Sequence, residues 1–132
     1  MAPRDHRQLL WGESETAELE SVGELEQRLA VLTEEAMARP FMAELIAING
    51  NSLSMGLGRE ETVLSWVAAS NDPPYYASKG NPKAEGTIAF YYSGDWSEFP
   101  RWSAVPVPAG LATMREFFQT GKRPSTVEWE EV

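Results

Sequence analysis

The chain has 132 residues, 42% of them apolar and 23% charged, the balance of one soluble globular domain with a core of its own. Its net charge of −9 disfavours nucleic acid and anionic membranes as partners; it suits a basic protein partner, or solubility alone. No apolar run could span a bilayer, the absence of cysteine excludes disulfides and thiolate metal sites, and a lone histidine, His6, leaves no His-based triad or metal cluster. Residues 1–6 read as a flexible leader without the apolar stretch of a signal peptide, so a cytoplasmic location is expected.

Arg7 to Trp11 reads as a short strand, Gly12-Glu13 as a turn, and Ser14 to Leu19 as a returning edge strand. Ser21-Val22-Gly23-Glu24 has the form of a capping box, in which Ser21 and Glu24 satisfy each other's backbone amides. The stripe Val22, Leu25, Leu29, Leu32 and Ala36 predicts a helix over about 22–38, with an acidic solvated face and a stop at Pro40. Phe41–Ile48 and Ser52–Leu57 read as strands joined through Asn49-Gly50-Asn51, with Leu53, Met55 and Leu57 inward. Thr62–Ala69 completes an antiparallel meander, and Asn71-Asp72-Pro73-Pro74 forms a rigid loop leading into Tyr75-Tyr76-Ala77-Ser78.

Thr87 to Tyr92 carries large or β-branched residues on both sides, which predicts a central strand with little water on either face. Ser93-Gly94-Asp95 breaks it, and Pro100 and Pro106 are expected to keep the aromatic segment after it out of any regular ladder. Such a loop can hold a partner or plug the end of a core. Pro108 opens a second helix with Leu111, Met114, Phe117 and Phe118 inward; Gly121 closes it, with Lys122 and Arg123 suiting the negative end of its dipole. Ser125–Val132 reads as a last strand. The order predicts a single α+β domain over 1–132: a twisted antiparallel sheet with two helices packed on one face, and Tyr, Trp and acidic side chains lining the other.

No catalytic set emerges. There is no phosphate-binding glycine pattern and no base beside any serine. The neighbouring pairs Glu60/Glu61 and Glu130/Glu131 diverge if they lie on strands, and Asp95 with Glu98 supplies too few oxygens for a cation. The reading is therefore no enzyme, no cofactor, no metal and no small-molecule substrate. Binding remains: Tyr75, Tyr76, Tyr91, Tyr92, Trp96 and Trp102 offer rigid amphipathic area, and Asp72, Asp95, Glu98, Glu128 and Glu130 offer negative potential. Core packing is the competing use of these aromatics, and the more natural one for Trp66, Phe90, Phe117 and Phe118.

Ser52-Leu53-Ser54-Met55-Gly56-Leu57-Gly58, Val63-Leu64-Ser65-Trp66 and Pro74-Tyr75-Tyr76-Ala77-Ser78-Lys79-Gly80 resemble one family. So do Phe90-Tyr91-Tyr92-Ser93-Gly94-Asp95-Trp96-Ser97-Glu98-Phe99-Pro100 and the ending Glu116 to Pro124 with Val127 to Glu131. Together they are similar to the first-numbered immunity-protein family of bacterial polymorphic toxin systems. The resemblance implies a protein that binds a cognate toxin, in this family often a zinc-dependent nucleic-acid deaminase such as a DNA cytosine deaminase with a basic cleft. It implies inhibition by occlusion. The open sheet face and the loops 71–80 and 93–102 would cover the cleft, Asp72, Asp95 and Glu98 would pair with its cations, and Tyr75, Tyr76 and Trp96 would fill apolar hollows. Tyr92 and Trp102 complete the expected contact set. The alternative is an acidic accessory domain of a larger complex with no toxin partner.

Overall fold

The computed structural model describes residues 6–132. Of the expected leader only His6 falls within that range, with Nδ1 4.0 Å from a Glu20 carboxylate oxygen; residues 1–5 lie outside the described residues.

β1 (Arg7–Trp11) and β2 (Glu15–Leu19) pair antiparallel across a turn at Gly12. α1 (Val22–Ala36) starts at Ser21, whose Oγ accepts from the Glu24 amide at 3.1 Å. The Glu24 carboxylate reaches back to the amide of Glu20 at 3.3 Å, one residue upstream of the one a capping box would give. β3 (Phe41–Ile46) and β4 (Ser52–Leu57) form the expected hairpin, although β3 ends two residues early because the turn already begins at Ala47.

The expected strand 62–69 is broken at Val63. β5 (Glu61–Thr62) pairs with β10 (Val105–Pro106) in a small separate sheet, and β6 (Leu64–Val67) pairs with β4. β7 (Tyr76–Lys79) follows the loop that holds the cis Pro73–Pro74 bond. β8 (Thr87–Tyr92), β9 (Asp95–Pro100), a 3-10 turn at Arg101–Ser103, α2 (Val107–Thr120) and β11 (Glu128–Glu131) complete the chain. α2 has Pro108 in its first turn and ends at Gly121 with φ 68, where Asn49 and Asn51 donate to the Gly121 carbonyl at 3.0 and 2.7 Å. β11 is shorter than the expected 125–132. Residues before it are held outside any ladder: the Ser125 amide donates to Glu116, and the Trp129 indole to the Pro124 carbonyl.

The main sheet runs β11-β7-β6-β4-β3-β1-β2 and is antiparallel along that path. Side chains alternate between its faces, and ladder partners share a face. Leu9, Ala43, Leu45, Leu53, Met55 and Leu64 stand on one face with Leu25, Leu29, Leu32, Met114, Phe117 and Phe118 of the helices, forming the main core. The α+β arrangement with both helices on one face is therefore as expected.

The opposite face departs from expectation in two ways. β8 is not a central strand: it pairs with β9 along its length and with β3 only at Phe41–Tyr91, so the β8–β9 hairpin branches off the sheet. Segment 95–100 does join a regular ladder, because Pro100 falls at its last position, opposite Thr87, on an edge strand where a missing N–H disrupts nothing. The hairpin lies over one end of the face, where Ile88 and Phe90 join Met42, Val63 and Ala104 in a second, smaller core. There Phe90 occupies the space a Cβ on Gly56 would fill, 2.5 Å from that position. The uncovered remainder carries Leu10, Ile46, Ser52, Ser65, Val67 and Ala77, half-exposed, with Glu18, Glu128 and Glu130 exposed around them. Trp11, Trp66 and Trp129 pack instead toward the main core, so this face is less aromatic than expected.

Candidate functional site

The eight residues singled out from the sequence divide between the two sides of the sheet. Tyr92, Asp95, Trp96 and Glu98 belong to the β8–β9 hairpin, whose two-residue connection has φ 51 at Ser93 and φ 91 at Gly94. Positive φ at both positions is the geometry whose twist matches the flanking strands. Tyr91 and Trp96 are cross-strand partners on the outward side, ring centroids 5.7 Å apart and nearly perpendicular. The Arg39 guanidinium stands 3.8 Å above the Tyr91 ring, and the Tyr91 amide donates to the Pro40 carbonyl at 2.7 Å. Trp96 is 53% exposed yet held on one side by this stack. Arg59 donates to the Ala89 carbonyl at 2.8 Å, and Arg101 pairs with Glu61 at 3.0 Å, tying β8 and the residue just after β9 to the body. Glu98 is exposed beside Trp96 on the same outward side.

Tyr92 points the other way, toward the sheet. Burial raises its phenol pKa, the nearby Glu44 carboxylate raises it further, and a hydrogen bond with Ser54 offsets part of the shift. A cleft of about 170 Å³ separates the tip of the β1–β2 hairpin from the tip of the β8–β9 hairpin; Glu13, Glu15, Glu44 and Tyr92 line it. Acidic groups thus gather where the two tips face each other, continuous with the open face of the sheet.

Asp72, Tyr75 and Tyr76 sit elsewhere. Tyr76 is the ladder partner of Trp66, on the helix side, and Arg123 just beyond α2 lies 4.0 Å over its ring. The Tyr75 hydroxyl donates to the Asn71 carbonyl at 2.8 Å, so this side chain closes its own loop. Trp102 is half-buried in the 3-10 turn, and its carbonyl accepts from the Gly80 amide at 2.7 Å, the part of a structural brace. One surface therefore unites the hairpin residues with the open face, and it leaves out Asp72, Tyr75 and Tyr76. Sequence reasoning missed Arg39 and Glu44. Neither belongs to a motif, and both reach the site only through tertiary packing.

A model of the immunity protein Imm1 family matches residues 13–131. The chain belongs to the Imm1 immunity protein family. No curated protein matches it. As an Imm1 protein its partner is a cognate toxin. Among the described residues no group of His, Asp and Glu could hold a metal ion, and no helix is long and apolar enough to cross a membrane. What the hairpin surface offers chemically is recognition: a braced Trp-Tyr-Arg stack, the residue types that dominate interface energetics, beside exposed carboxylates.

Proposed function

We propose that this Imm1 protein inhibits its toxin by covering a basic substrate cleft with the β8–β9 hairpin and the acidic open face of the sheet. The toxin is a nucleic-acid deaminase, in the first instance one acting on DNA cytosine. Such an enzyme must bind a phosphate backbone and draw a base into a pocket. A chain of net charge −9 with an exposed, braced tryptophan among carboxylates is the complement that such a cleft accepts. The observation that carries the reading is Trp96, large, apolar and 53% exposed, yet fixed edge-on to Tyr91. Glu98 supplies charge beside it, Asp95 stands opposite Tyr92 on the side facing the sheet, and Glu13, Glu15 and Glu44 supply the acidic wall between the hairpin tips, with the neutral Tyr92 phenol among them.

Occlusion predicts a stoichiometric inhibitor. Purified toxin domain encoded beside this gene, assayed for deamination against increasing amounts of this protein, should lose activity linearly up to an equimolar ratio. Activity that persists at several equivalents, with the complex formed, would assign the protein a carrier role instead.

A further inference from the structure

The surface left out of the hairpin site has a chemistry of its own. On the helix side of the sheet, a hollow of about 550 Å³ opens between the loop 70–76, β6 and the residues just after α2. Trp66 and Tyr76 wall it, their rings edge-to-face at 5.9 Å, with Pro73 and Pro74 opposite. Lys122 and Arg123 rim it, both exposed, and Asp72 is its one acidic lining residue. Two cations against one carboxylate make a positive spot on a chain of −9.

Neither cation is consumed within the fold. Among the described residues Lys122 and Arg123 form no ion pair, and neither side chain donates a hydrogen bond; Glu131, the ladder neighbour of Tyr76, pairs with neither. Arg123 is nevertheless positioned, because its guanidinium carbon stands 4.0 Å over the centre of the Tyr76 ring. The cation–π contact holds the guanidinium over the ring, and its N–H groups, which make no hydrogen bond among the described residues, are left for a carboxylate acceptor. A second, independent observation points to the same ligand. The Trp66 indole N–H is shielded from solvent and has no acceptor among the described residues. Buried donors are almost always matched, so an unmatched one in the wall of a hollow asks for an acceptor from outside.

We infer that this hollow is a carboxylate receptor: it takes an Asp or Glu side chain of a partner protein, between Arg123 and Lys122, with the Trp66 N–H gained as the hollow closes around it. This goes beyond the occlusion of the toxin cleft, since it lies on the other face and demands the opposite charge from its ligand. It also reverses the sign expected for Asp72, which opposes the ligand here instead of attracting it.

The isolated protein tests this without any toxin, so its failure is separate from failure of the toxin reading. The probe is the α-amide of N-acetylglutamate, with the uncharged glutamine counterpart as control, followed by the indole N–H resonance of Trp66 in two-dimensional NMR. The Trp66→Phe variant assigns that resonance. A saturable shift with the glutamate probe alone is expected. It should weaken at least about tenfold in the Lys122→Gln/Arg123→Gln double variant and strengthen in Asp72→Asn. Because all three positions are exposed, the remaining resonances should stay in place. Equal shifts with both probes, shifts reproduced by sodium chloride at matched ionic strength, or indifference to the double variant would overturn the assignment.

Discussion

Phe90 and Gly56 are a matched pair: the ring sits where any side chain at 56 would begin. Gly56→Ala should cost about 1–3 kcal/mol by overpacking. Phe90→Leu introduced with it should recover part of that loss, a coupling that urea denaturation of the two singles and the double would read. Independent, additive losses would mean that the hairpin does not rest on Gly56. Tyr92 makes a pH prediction. Its folded pKa lies above the ordinary value of 10.0, so the stability it contributes is complete below about pH 10 and is lost as pH rises through the folded value. Thermal melts between pH 8 and 11 should show a steeper alkaline decline for the wild type than for Tyr92→Phe. Parallel declines would remove Tyr92 as the cause.

Among elements, the β8–β9 hairpin carries the most weight, and its tip is the place to test it. Ser93 holds φ 51, a conformation that glycine or asparagine adopts more readily. Ser93→Gly should stabilise or be neutral, and Gly94→Val at φ 91 should destabilise by about 1 kcal/mol or more, read from urea midpoints. The opposite order would mean that the two-residue turn is not formed. The same hairpin marks how far the sequence was legible. Both helices, the β3–β4 hairpin and the caps at Ser21 and Gly121 were readable, since their signals are local: a 3.6-residue stripe, an Asn-Gly turn, a cap residue. That β8 lies over the sheet rather than inside it was not readable. Apolar residues on both sides of a strand announce burial on both sides, but Tyr91 gains its cover from Arg39 and Trp96, one of them some fifty residues away in sequence. The prolines misled for the converse reason, because a strand edge tolerates what a strand centre does not. Of the candidate contacts, Tyr92, Asp95, Trp96 and Glu98 do come together. Tyr76 stands on the other face with Asp72 across the hollow from it, a placement that the pairing of β6 with β7 reveals only once the partners are known, and Tyr75 closes its own loop.

At the scale of the whole molecule, charge and shape act together. The helices fill one side of the sheet, and the other carries a hairpin, an acidic cleft and a half-exposed strand surface, the surface we propose for the partner. A field of this sign should speed the approach of a basic toxin, so the association rate should fall as salt rises while the dissociation rate changes little. A rate that does not respond to salt would detach net charge from recognition. The most direct measurement is the dissociation rate of the complex with the toxin domain encoded beside this gene, for the wild type and for Trp96→Ala. Truncating an exposed side chain should leave the melting temperature near that of the wild type. If the hairpin stack is the centre of the interface, dissociation should accelerate by roughly 30-fold or more, the equivalent of about 2 kcal/mol. A folded Trp96→Ala that leaves the toxin no faster than the wild type would contradict the placement of the binding surface on this hairpin.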